Sequence, residues 1–353
     1  MNELKAFVES ARFSKLETIP VSLNRVRSYL NNPHALPDDV VLYLGFIDEK
    51  LVAFRSLFAD RVVAENDSIR FGWCSGNWVH PEFRRKGFSE QLLTEAYADW
   101  DQKLMFTNYA PNSESLYLKT GWFLPVHRFE GARAYLFPKL RKLMADSDSN
   151  VFKRWLYSVL DFDIEVISSL RLLFYRAPQT GKFRFELIER PDSACYDFLE
   201  KHASSSVFGR KEKELNWIFT NPWISKTKNP LNEKYPFSWY CEDFQYHTLK
   251  FFRGEEMKGF LLFSVREKHL KTLYFAGNYE VVTELVGFLK NYARQHKIEV
   301  ITTYKTELAS QFLQRKFPFL HVKKYGQKIY STFELPDDKT LCFQDGDGDV
   351  IFT

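Results

Sequence analysis

The sequence contains few cysteines, and their spacing is not that of a disulfide framework or a zinc site. They lie far apart, with no C-x-x-C pair and no histidine at ligand spacing: Cys74, Cys195, Cys241 and Cys342. A disulfide framework and a structural metal are therefore not expected. We predict thiols in a reducing compartment and no metal cofactor.

Long apolar runs are also missing. No stretch reaches the roughly 18 uncharged apolar residues that a membrane-spanning helix needs. Residues 1–5 lack the apolar segment of a secretory signal. We therefore expect a cytoplasmic protein without a membrane partner.

Neither sign of charge is in large excess. The 49 Lys and Arg residues are interleaved with 45 Asp and Glu residues, for a net charge of +4. A nucleic-acid partner is not expected, because such binders usually concentrate basic residues on one face. Aromatic residues make up 17% of the 353 residues, which is ample material for the cores of two domains.

The most informative stretch is the turn at residues 79–89. It joins a predicted strand, residues 69–79, to a predicted amphipathic helix, residues 89–100. Three cations precede a glycine there: Arg84, Arg85, Lys86 and Gly87. Backbone N–H groups at a helix N-terminus carry partial positive charge, and glycine has no Cβ to keep a phosphate away. The turn therefore predicts a ligand that carries phosphates.

A second pattern follows within thirty residues. Residues 103–109 form an apolar run, and a short predicted helix then starts with Asn112 as its N-cap. The helix carries Tyr117 and ends at Gly121, where a left-handed residue is expected.

Together the two patterns resemble the GNAT acyltransferase superfamily over residues 40–138. The family's pyrophosphate loop, Gln/Arg-x-x-Gly-x-Gly/Ala, is matched by Arg84, Gly87 and, with a departure to serine, Ser89. Its second signature is matched by Asn112, Tyr117, Gly121 and Trp122. The resemblance implies acetyl-coenzyme A (acetyl-CoA) as the donor and leaves the acceptor open.

The resemblance also implies site residues. Tyr117 is implied as the general acid that protonates the departing thiolate. The strand at residues 69–79 is implied to splay and admit the pantetheine arm, with backbone hydrogen bonds from Trp78 and Val79. The implied cofactor-binding residues are Trp78, Val79, Arg84, Arg85, Lys86, Gly87, Phe88, Ser89, Asn112 and Ser115.

The general base stays open. His80 directly follows the cofactor strand, and histidine is a common base, but a residue before proline at a strand end is often simply exposed. The strand at residues 69–79 has no Asp or Glu, although a strand carboxylate is a common base in the resembled family. Deprotonation through water and a carboxylate from elsewhere are the alternatives.

The rest of the chain reads as a second, degenerate copy of the same plan. Strand and helix patterns follow in the same order as in the first half: residues 271–276, 279–295, 298–304, 306–316 and a hairpin or long strand at 322–333. The corresponding turn, residues 275–279, has no cation, and residues 311–313 have no tyrosine. This half is therefore expected to bind no cofactor.

We predict a mixed α/β fold, an α+β mixed sheet, with two GNAT-like domains in tandem. The polar stretch at residues 146–150 is a linker composition. The helix predicted at 151–176 packs between domains or lies on a membrane surface, and we favour the first. The predicted parts are an acetyltransferase domain at 1–145, the linker and interdomain helix at 146–180, a degenerate domain at 181–335, and an acidic tail at 336–353.

The tail at residues 344–353 alternates Asp and Gly but does not match a calcium loop. A frayed tail is one interpretation. The other is that the apolar residues 350–352 dock on the first domain and bring Asp345, Asp347, Asp349 or the Thr353 carboxylate toward the acceptor pocket.

The leading function is an acetyl-CoA-dependent N-acetyltransferase that acts by direct transfer on a small amine, such as an amino sugar or an amino acid derivative. The alternatives are a non-catalytic sensor module that binds acyl-CoA, and an aminoacyl transferase of the cell-wall type. The intact turn at residues 84–89 argues against the last, which generally uses charged tRNA. The oligomeric state is left open.

Overall fold

A computed structural model describes most of the chain, namely residues 2–63, 68–109, 111–139, 151–176, 181–202, 206–336, 342–349 and 352. The chain divides into two compact units. Unit 1 consists of three segments: Met1–Arg128, Leu199–Phe244 and Gln327–Thr353. Unit 2 consists of two: Phe129–Phe198 and Gln245–Gly326. Each unit therefore combines segments that are distant in sequence.

Unit 1 is built on a mixed sheet. Its strands, in chain order, are β1 (Leu42–Ile47), β2 (Lys50–Val63), β3 (Ser68–Val79), β4 (Leu104–Thr107) and the end of a strand that we number β11 (His321–Ser331). Their order in the sheet is β1-β2-β3-β4-β11. The β3 and β4 strands are parallel, and the other neighbours are antiparallel.

Helices cover this sheet. Unit 1 contains α1 (Asn2–Glu9), α2 (Ala11–Lys15), α3 (Leu23–Leu30), α4 (Phe88–Asp99), α5 (Pro111–Lys119) and, from the segment Leu199–Phe244, a helix that we number α8 (Glu212–Thr220). The β2 strand is buried along almost its whole length. Such burial on both faces is typical of a central strand with a nearly continuous apolar sequence.

The ladder between β2 and β3 contains one extra residue. Leu57 lies opposite Cys74, but its neighbour Ser56 lies opposite Gly76, so that Ser75 is the extra residue of β3. This is a β-bulge, which re-aims the side chains that follow it in the strand. The alternation of side chains between the two faces shifts by one position here.

The bulge decides which side chains share a face of the sheet. In a regular strand Cys74 and Asn77, three residues apart, would lie on opposite faces. With the extra residue between them, both lie on the face of Arg55, which is opposite Asn77 in the ladder. The other face carries Ser56 and Ser75, whose hydroxyl oxygens are 3.2 Å apart.

The parallel pairing of β3 with β4 is short. It consists of Gly72 with Leu104 and Trp73 with Met105. From residue 74 to the end of β3 at residue 79, the ladder between these two strands does not continue. The β3 and β4 strands therefore separate beside the bulge.

The two glycines of β3 allow close packing. A Cβ on Gly72 would lie 2.8 Å from a methyl carbon of Leu57 and 2.9 Å from the ring of Trp100. A Cβ on Gly76 would lie 2.5 Å from the Ser56 hydroxyl. All three distances are too short for real side chains, so the glycines let neighbouring groups of the protein approach the strand.

Unit 2 repeats the plan of unit 1. Its strands are the second part of β5 (Leu124–Tyr135), β6 (Arg184–Ile188), β7 (Phe244–Arg253), β8 (Glu256–Arg266), β9 (His269–Gly277), β10 (Val300–Thr303) and the start of β11. Their order is β11-β5-β10-β9-β8-β7-β6. The helix α9 (Val282–Gln295) joins β9 to the parallel strand β10, as α4 joins β3 to β4. The predicted mixed α/β fold with a repeated plan is confirmed.

The remaining helices of unit 2 are α6 (Val151–Leu173), α7 (Ser193–Lys201) and α10 (Thr306–Gln314). The α6 helix packs partly against this unit: the Ser168 hydroxyl donates to the Leu136 carbonyl at 2.6 Å, and the Arg171 guanidinium donates to two carbonyls of residues 318–319. Large apolar side chains beyond this face are exposed, including Phe162 and Leu173. Its predicted role between domains stays a prediction. Within the described ranges, no helix combines the length and apolar character needed to cross a membrane.

Several predicted elements agree with the structure, and one detail differs. Of the two forms predicted for residues 322–333, a hairpin or one long strand, the structure contains the strand, His321–Ser331. Asn112 is not the N-cap of α5 but its second residue, because Pro111 starts the helix. Proline suits the first position of a helix, because the backbone N–H there makes no hydrogen bond within the helix and proline has no N–H.

The predicted domain limits differ from the compact units. Residues 199–244, assigned by sequence to the second domain, pack in unit 1. The predicted linker at 146–150 lies outside the described residues. The limits of the two GNAT-like domains along the sequence therefore stay a prediction.

The acidic tail packs in unit 1, so the interpretation of a frayed tail is wrong for its described residues. Asp347 and Phe352 are fully buried. The Asp347 carboxylate accepts a hydrogen bond from the Gln344 backbone at 2.7 Å and interacts with Arg210. Arg210 in turn holds Asp60 with two hydrogen bonds, 2.9 and 2.5 Å long. Asp347 therefore faces this buried charge cluster, and not Tyr117.

A pH-dependent stability follows from Asp347. Burial raises the pKa of Asp347 to about 7, although Arg210 opposes the shift. Because the folded-state pKa is raised, the stability from this neutral acid is complete below about pH 4 and is lost as the pH rises through about 7. We expect Asp347→Asn, which cannot ionise, to flatten the decline in the free energy of unfolding between pH 4 and pH 7.5. Each unit of pKa difference is worth about 1.4 kcal/mol.

Urea denaturation of both proteins at several pH values measures this effect. The wild type and Asp347→Asn should differ in slope against pH, and not merely in absolute stability. Parallel curves would contradict a buried, neutral Asp347.

Candidate active site

The turn after β3 presents a row of backbone donors. A short 3-10 helix, Pro81–Phe83, follows the strand, and then Arg85 and Gly87 adopt the left-handed conformation with φ of 62° and 86°. Within the described part of the chain, no acceptor is found for the backbone N–H groups from Arg85 to Ser89. The space beside the Gly87 Cα is open. Such donors at the N-terminus of α4 suit an anion.

The basic side chains of the turn are partly held by the protein. The Arg84 Nε donates to the Val79 carbonyl at 3.3 Å, and the Lys86 ammonium lies 4.7 Å from the centroid of the Phe83 ring. The Arg85 side chain is exposed. The turn thus offers positive charge around its backbone donors.

Arg55 connects this turn to Tyr117. Its guanidinium is fully buried and donates through Nη1 to the Tyr117 hydroxyl at 2.8 Å. Through Nη2 it donates to the Asn77 side chain at 3.3 Å and to the Ser89 carbonyl at 3.2 Å. The Ser89 hydroxyl also donates to Asn77, at 2.7 Å. These four residues and Cys74 form what we call the Arg55 cluster.

The Arg55 cluster contains a positive charge without a carboxylate. Among the residues that the structure describes, no Asp or Glu pairs with Arg55, and its buried Nε has no hydrogen-bond partner. Burying a cation is costly unless an anion or a full set of hydrogen bonds compensates. The cluster is therefore suited to an additional negative group.

Tyr117, on α5, is buried in the protein core. Its side chain is 4% exposed, and its ring centroid lies 4.2 Å from that of Phe106. Burial raises the pKa of Tyr117, and Arg55 partly opposes this rise. Because Arg55 donates to the phenol oxygen, the phenol keeps its own proton available for another acceptor.

Cys74 lies beside Tyr117 and Arg55. Burial raises the pKa of the Cys74 thiol, while the neighbouring Arg55 lowers it less. The thiol is therefore protonated at neutral pH and a poor nucleophile. Cys74 therefore marks the place in the middle of β3 where the strand meets the phenol.

The other predicted site residues lie at varied distances from this cluster. Trp78 stacks on Phe54, with ring centroids 5.5 Å apart, and Phe88 contacts Phe83 at the turn. Ser115 is exposed on α5, and residues two apart on a helix do not share a face. Ser115 is therefore not brought to Tyr117. The side chain of Asn112 lies outside the described residues.

His80 makes no hydrogen bond to the Arg55 cluster in the described part of the chain, although Asn77 of that cluster precedes it by only three positions. Its Nδ1 accepts a hydrogen bond from the Glu82 backbone at 3.4 Å. It lies six positions beyond Cys74, which is roughly 20 Å along an extended strand. It lines a cavity of about 420 Å³ together with Arg12, Lys15, Leu16, Glu17, Thr18, Asp48, Glu49, Lys50 and Leu51. This position does not suit a base that works opposite Tyr117.

Arg55 is the residue that sequence reasoning missed. It lies in a buried apolar strand and belongs to neither of the two motifs. The feature of the sequence that could have indicated Arg55 is its charge, because it stands between two apolar stretches, residues 51–54 and 57–59. A buried strand rarely carries a charge without a specific reason.

The corresponding turn of unit 2 is shorter than the turn after β3. In unit 2, α9 begins directly after a 3-10 helix, Tyr279–Val281, whereas residues 84–87 separate Pro81–Phe83 from α4. The cations and the left-handed glycine of the first turn lie in those four residues. Unit 2 therefore lacks the part of the turn that would surround a phosphate.

Cysteines and other metal ligands are dispersed. All four cysteines lie in the described residues and none forms a disulfide, and Cys195 and Cys241 are buried. In the stretches of chain that the structure describes, no three His, Cys, Asp or Glu side chains are grouped to hold a metal ion.

The sequence matches a known domain family. The model of the acetyltransferase (GNAT) domain matches residues 24–124, the stretch that contains Arg55, the turn after β3 and Tyr117. No curated protein matches the sequence significantly.

Solved structures resemble the fold at low sequence identity. A conserved protein of Enterococcus faecalis V583, a probable N-acyltransferase, aligns with a TM-score of 0.50 and 11% identity over 94% of this chain and 70% of its own. A GCN5-related N-acetyltransferase from Anabaena variabilis ATCC 29413 has a TM-score of 0.47 and 9% identity, over 88% of this chain and 71% of its own. A tandem GNAT protein from the clavulanic acid biosynthesis pathway has a TM-score of 0.48 and 11% identity, over 95% of both chains. Residues 24–124 are therefore identified as an acetyltransferase (GNAT) domain, and the predicted resemblance is confirmed over this stretch.

Proposed function

We propose that this protein transfers an acetyl group from acetyl-CoA directly to the amine of a small molecule, with Tyr117 as the general acid. One observation carries the proposal. The buried Arg55 guanidinium hydrogen-bonds both to the Tyr117 hydroxyl and to Ser89, at the start of α4. The proposed proton donor and the proposed phosphate turn are thus parts of one arrangement.

The donor molecule fits along the open edge of β3. Its pyrophosphate would accept hydrogen bonds from the backbone of residues 85–89, and its pantetheine arm would follow β3 past Val79 and Trp78. From Val79 to Cys74 is about 16 Å along an extended strand. The arm between the sulfur and the first phosphorus spans roughly 16 Å on ordinary bond lengths. The thioester would then lie near Cys74 and Tyr117.

Transfer requires that one bond forms as another breaks. The amine nitrogen attacks the thioester carbonyl, the carbon–sulfur bond breaks, and the Tyr117 proton moves to the departing thiolate. A buried phenol is by itself a reluctant acid, because its phenolate is poorly solvated. The Arg55 charge opposes this effect, since it stabilises both the phenolate and the nearby thiolate.

The amine proton would leave through water. Among the described residues, no Asp, Glu or His side chain hydrogen-bonds to the Arg55 cluster. His80 is too far along β3, and Asp347 faces Arg210. This favours the alternative that needs no protein base.

A sensor that only binds acyl-CoA is the second candidate. It would need the phosphate turn, but it would have no use for a phenol held by a buried guanidinium. Release of free thiol in the presence of an amine panel distinguishes the two. The aminoacyl transferase alternative has no structural feature in its favour.

The first prediction concerns the phosphate turn. We expect Gly87→Val to weaken acetyl-CoA binding by about tenfold or more, or about 1.4 kcal/mol, because a side chain there meets the phosphate. Gly254→Val is the matched control, since Gly254 also has a left-handed φ, 62°, and open space around it. Calorimetric titration measures both. An equal loss of acetyl-CoA affinity in the two variants, or no loss in Gly87→Val, would show that the turn does not bind the phosphates.

The second prediction concerns the proton donor. Tyr117→Phe should lower kcat by about 100-fold and leave the Kd for acetyl-CoA nearly unchanged, because the proton is used only in the transition state. Arg55→Met should lower kcat too, and the double variant should be little worse than either single one. Tyr97→Phe, at a surface hydroxyl on α4, is the control. Normal turnover by Tyr117→Phe would assign the proton to another group.

The third prediction concerns stoichiometry. Titration of the intact chain should give one coenzyme A per chain, since the unit 2 turn lacks cations and has no counterpart of residues 84–87 between its 3-10 helix and α9. A stoichiometry of two would overturn the degenerate second site.

A further inference from the structure

The opposite face of the bulge carries a second buried arginine. Arg25, on α3, donates through Nη1 to the Ser75 carbonyl at 3.3 Å. The Ser75 hydroxyl is 3.0 Å from the Tyr29 hydroxyl and 3.2 Å from that of Ser56. Arg25 thus contacts the extra residue of β3, and the chain neighbour of that residue, Cys74, belongs to the Arg55 cluster.

Aromatic rings from the segment Leu199–Phe244 surround Arg25. Its guanidinium carbon lies 3.7 Å from the centroid of the Trp223 ring and 5.7 Å from that of Tyr235. Tyr235 packs against Phe237, whose ring lies 5.5 Å away. All of these residues belong to unit 1. The arginine is 9% exposed.

Three buried polar atoms in this group have no hydrogen-bond partner within the described residues: Arg25 Nε, Trp223 Nε1 and Tyr235 Oη. Nor does any described carboxylate pair with Arg25. Buried polar groups in native proteins nearly always have partners, and a buried charge without one is exceptional.

The chemistry of the three atoms defines a complementary ligand. Arg25 Nε and Trp223 Nε1 only donate hydrogen bonds. Burial raises the pKa of Tyr235, so its phenol keeps its proton and also donates. Three donors and one positive charge match a compact anion with several lone pairs. Nη1 of Arg25 donates to the Ser75 carbonyl, so the edge of the guanidinium that contains Nε remains available to a ligand. This edge matches the two oxygens of a carboxylate.

We propose that Arg25, Trp223 and Tyr235 bind a carboxylate of the acceptor, so that the acceptor is a small amine that also carries a carboxylate, such as an amino acid. This inference rests on the proposed function. The site adjoins the bulge on one face, and the Arg55 cluster with Tyr117 adjoins it on the other. An acceptor anchored at Arg25 would therefore be held next to the part of β3 where we place the thioester.

The first test uses the wild type and matched substrates. With acetyl-CoA as donor, kcat/KM is measured for the proteinogenic L-amino acids and for their carboxamides. We expect the carboxylate forms to be preferred by at least about tenfold, the value of a charged hydrogen bond. The amine of a carboxamide is less basic and so more often neutral, and simple reactivity would favour it instead. Equal values for the two series would overturn the inference and leave the proposed acetyl transfer intact.

The second test uses variants of the site. Arg25→Met should abolish the preference mainly through a higher KM, and Arg25→Lys should retain part of it. Tyr235→Phe should raise KM more modestly. Arg27→Met is the control, because Arg27 lies on the same helix but is exposed. A preference that survives in Arg25→Met would overturn the inference.

A binding measurement separates this inference from the proposed function. The N-acetylated amino acids and their carboxamides are titrated into the protein without coenzyme A, and binding is followed by saturation-transfer NMR. Binding of the acids but not the amides, lost in Arg25→Met, would support the carboxylate site even if acetyl-CoA were found not to bind. Absence of binding by every acid, together with no preference in turnover, would overturn it.

Discussion

The extra residue in β3 is the feature on which the rest of the site depends. Ser75 shifts the alternation of side chains by one position, and the shift brings Cys74 and Asn77 onto the face of Arg55. On the other face, the same residue offers its carbonyl to Arg25 and its hydroxyl to Tyr29. A regular strand would divide these groups differently between its faces. One inserted residue therefore organises two different environments on the two faces of the sheet.

Both environments hold a buried arginine without a described carboxylate partner. The protein contains a counter-example in the same unit, where Arg210 is neutralised by Asp60 through two hydrogen bonds and Trp73 donates to the same carboxylate. The charge of that third arginine is thus compensated by a carboxylate, although its Nε, like those of Arg25 and Arg55, has no hydrogen-bond partner among the described residues. The contrast indicates that the charges of Arg25 and Arg55 are not needed for packing alone, since the chain has a way to compensate such a charge.

The sequence predicted the local parts of this molecule better than the long-range ones. The turn after β3 and the helix with Tyr117 follow from contiguous residues, so motif and periodicity indicate them directly. Arg55 and Arg25 carry no motif, and their importance depends on what the fold places around them. The assignment of residues 199–244 to unit 1 and the burial of Asp347 depend on contacts between residues more than one hundred positions apart. No local pattern contains that information.

Unit 1 is assembled from segments that are distant in sequence, and this affects how the protein folds during its synthesis. The β4 strand, next to the proposed site, pairs on its outer side with residues 329–331, and Tyr330 stacks on Phe106 with ring centroids 4.7 Å apart. A ribosome adds residues one at a time from the N-terminus, so β4 leaves the ribosome long before its neighbour exists. Until more than two hundred further residues have been added, one edge of the unfinished sheet is without its partner strand. The nascent chain therefore carries an exposed strand edge for most of its synthesis, which is the period in which chaperones protect such edges.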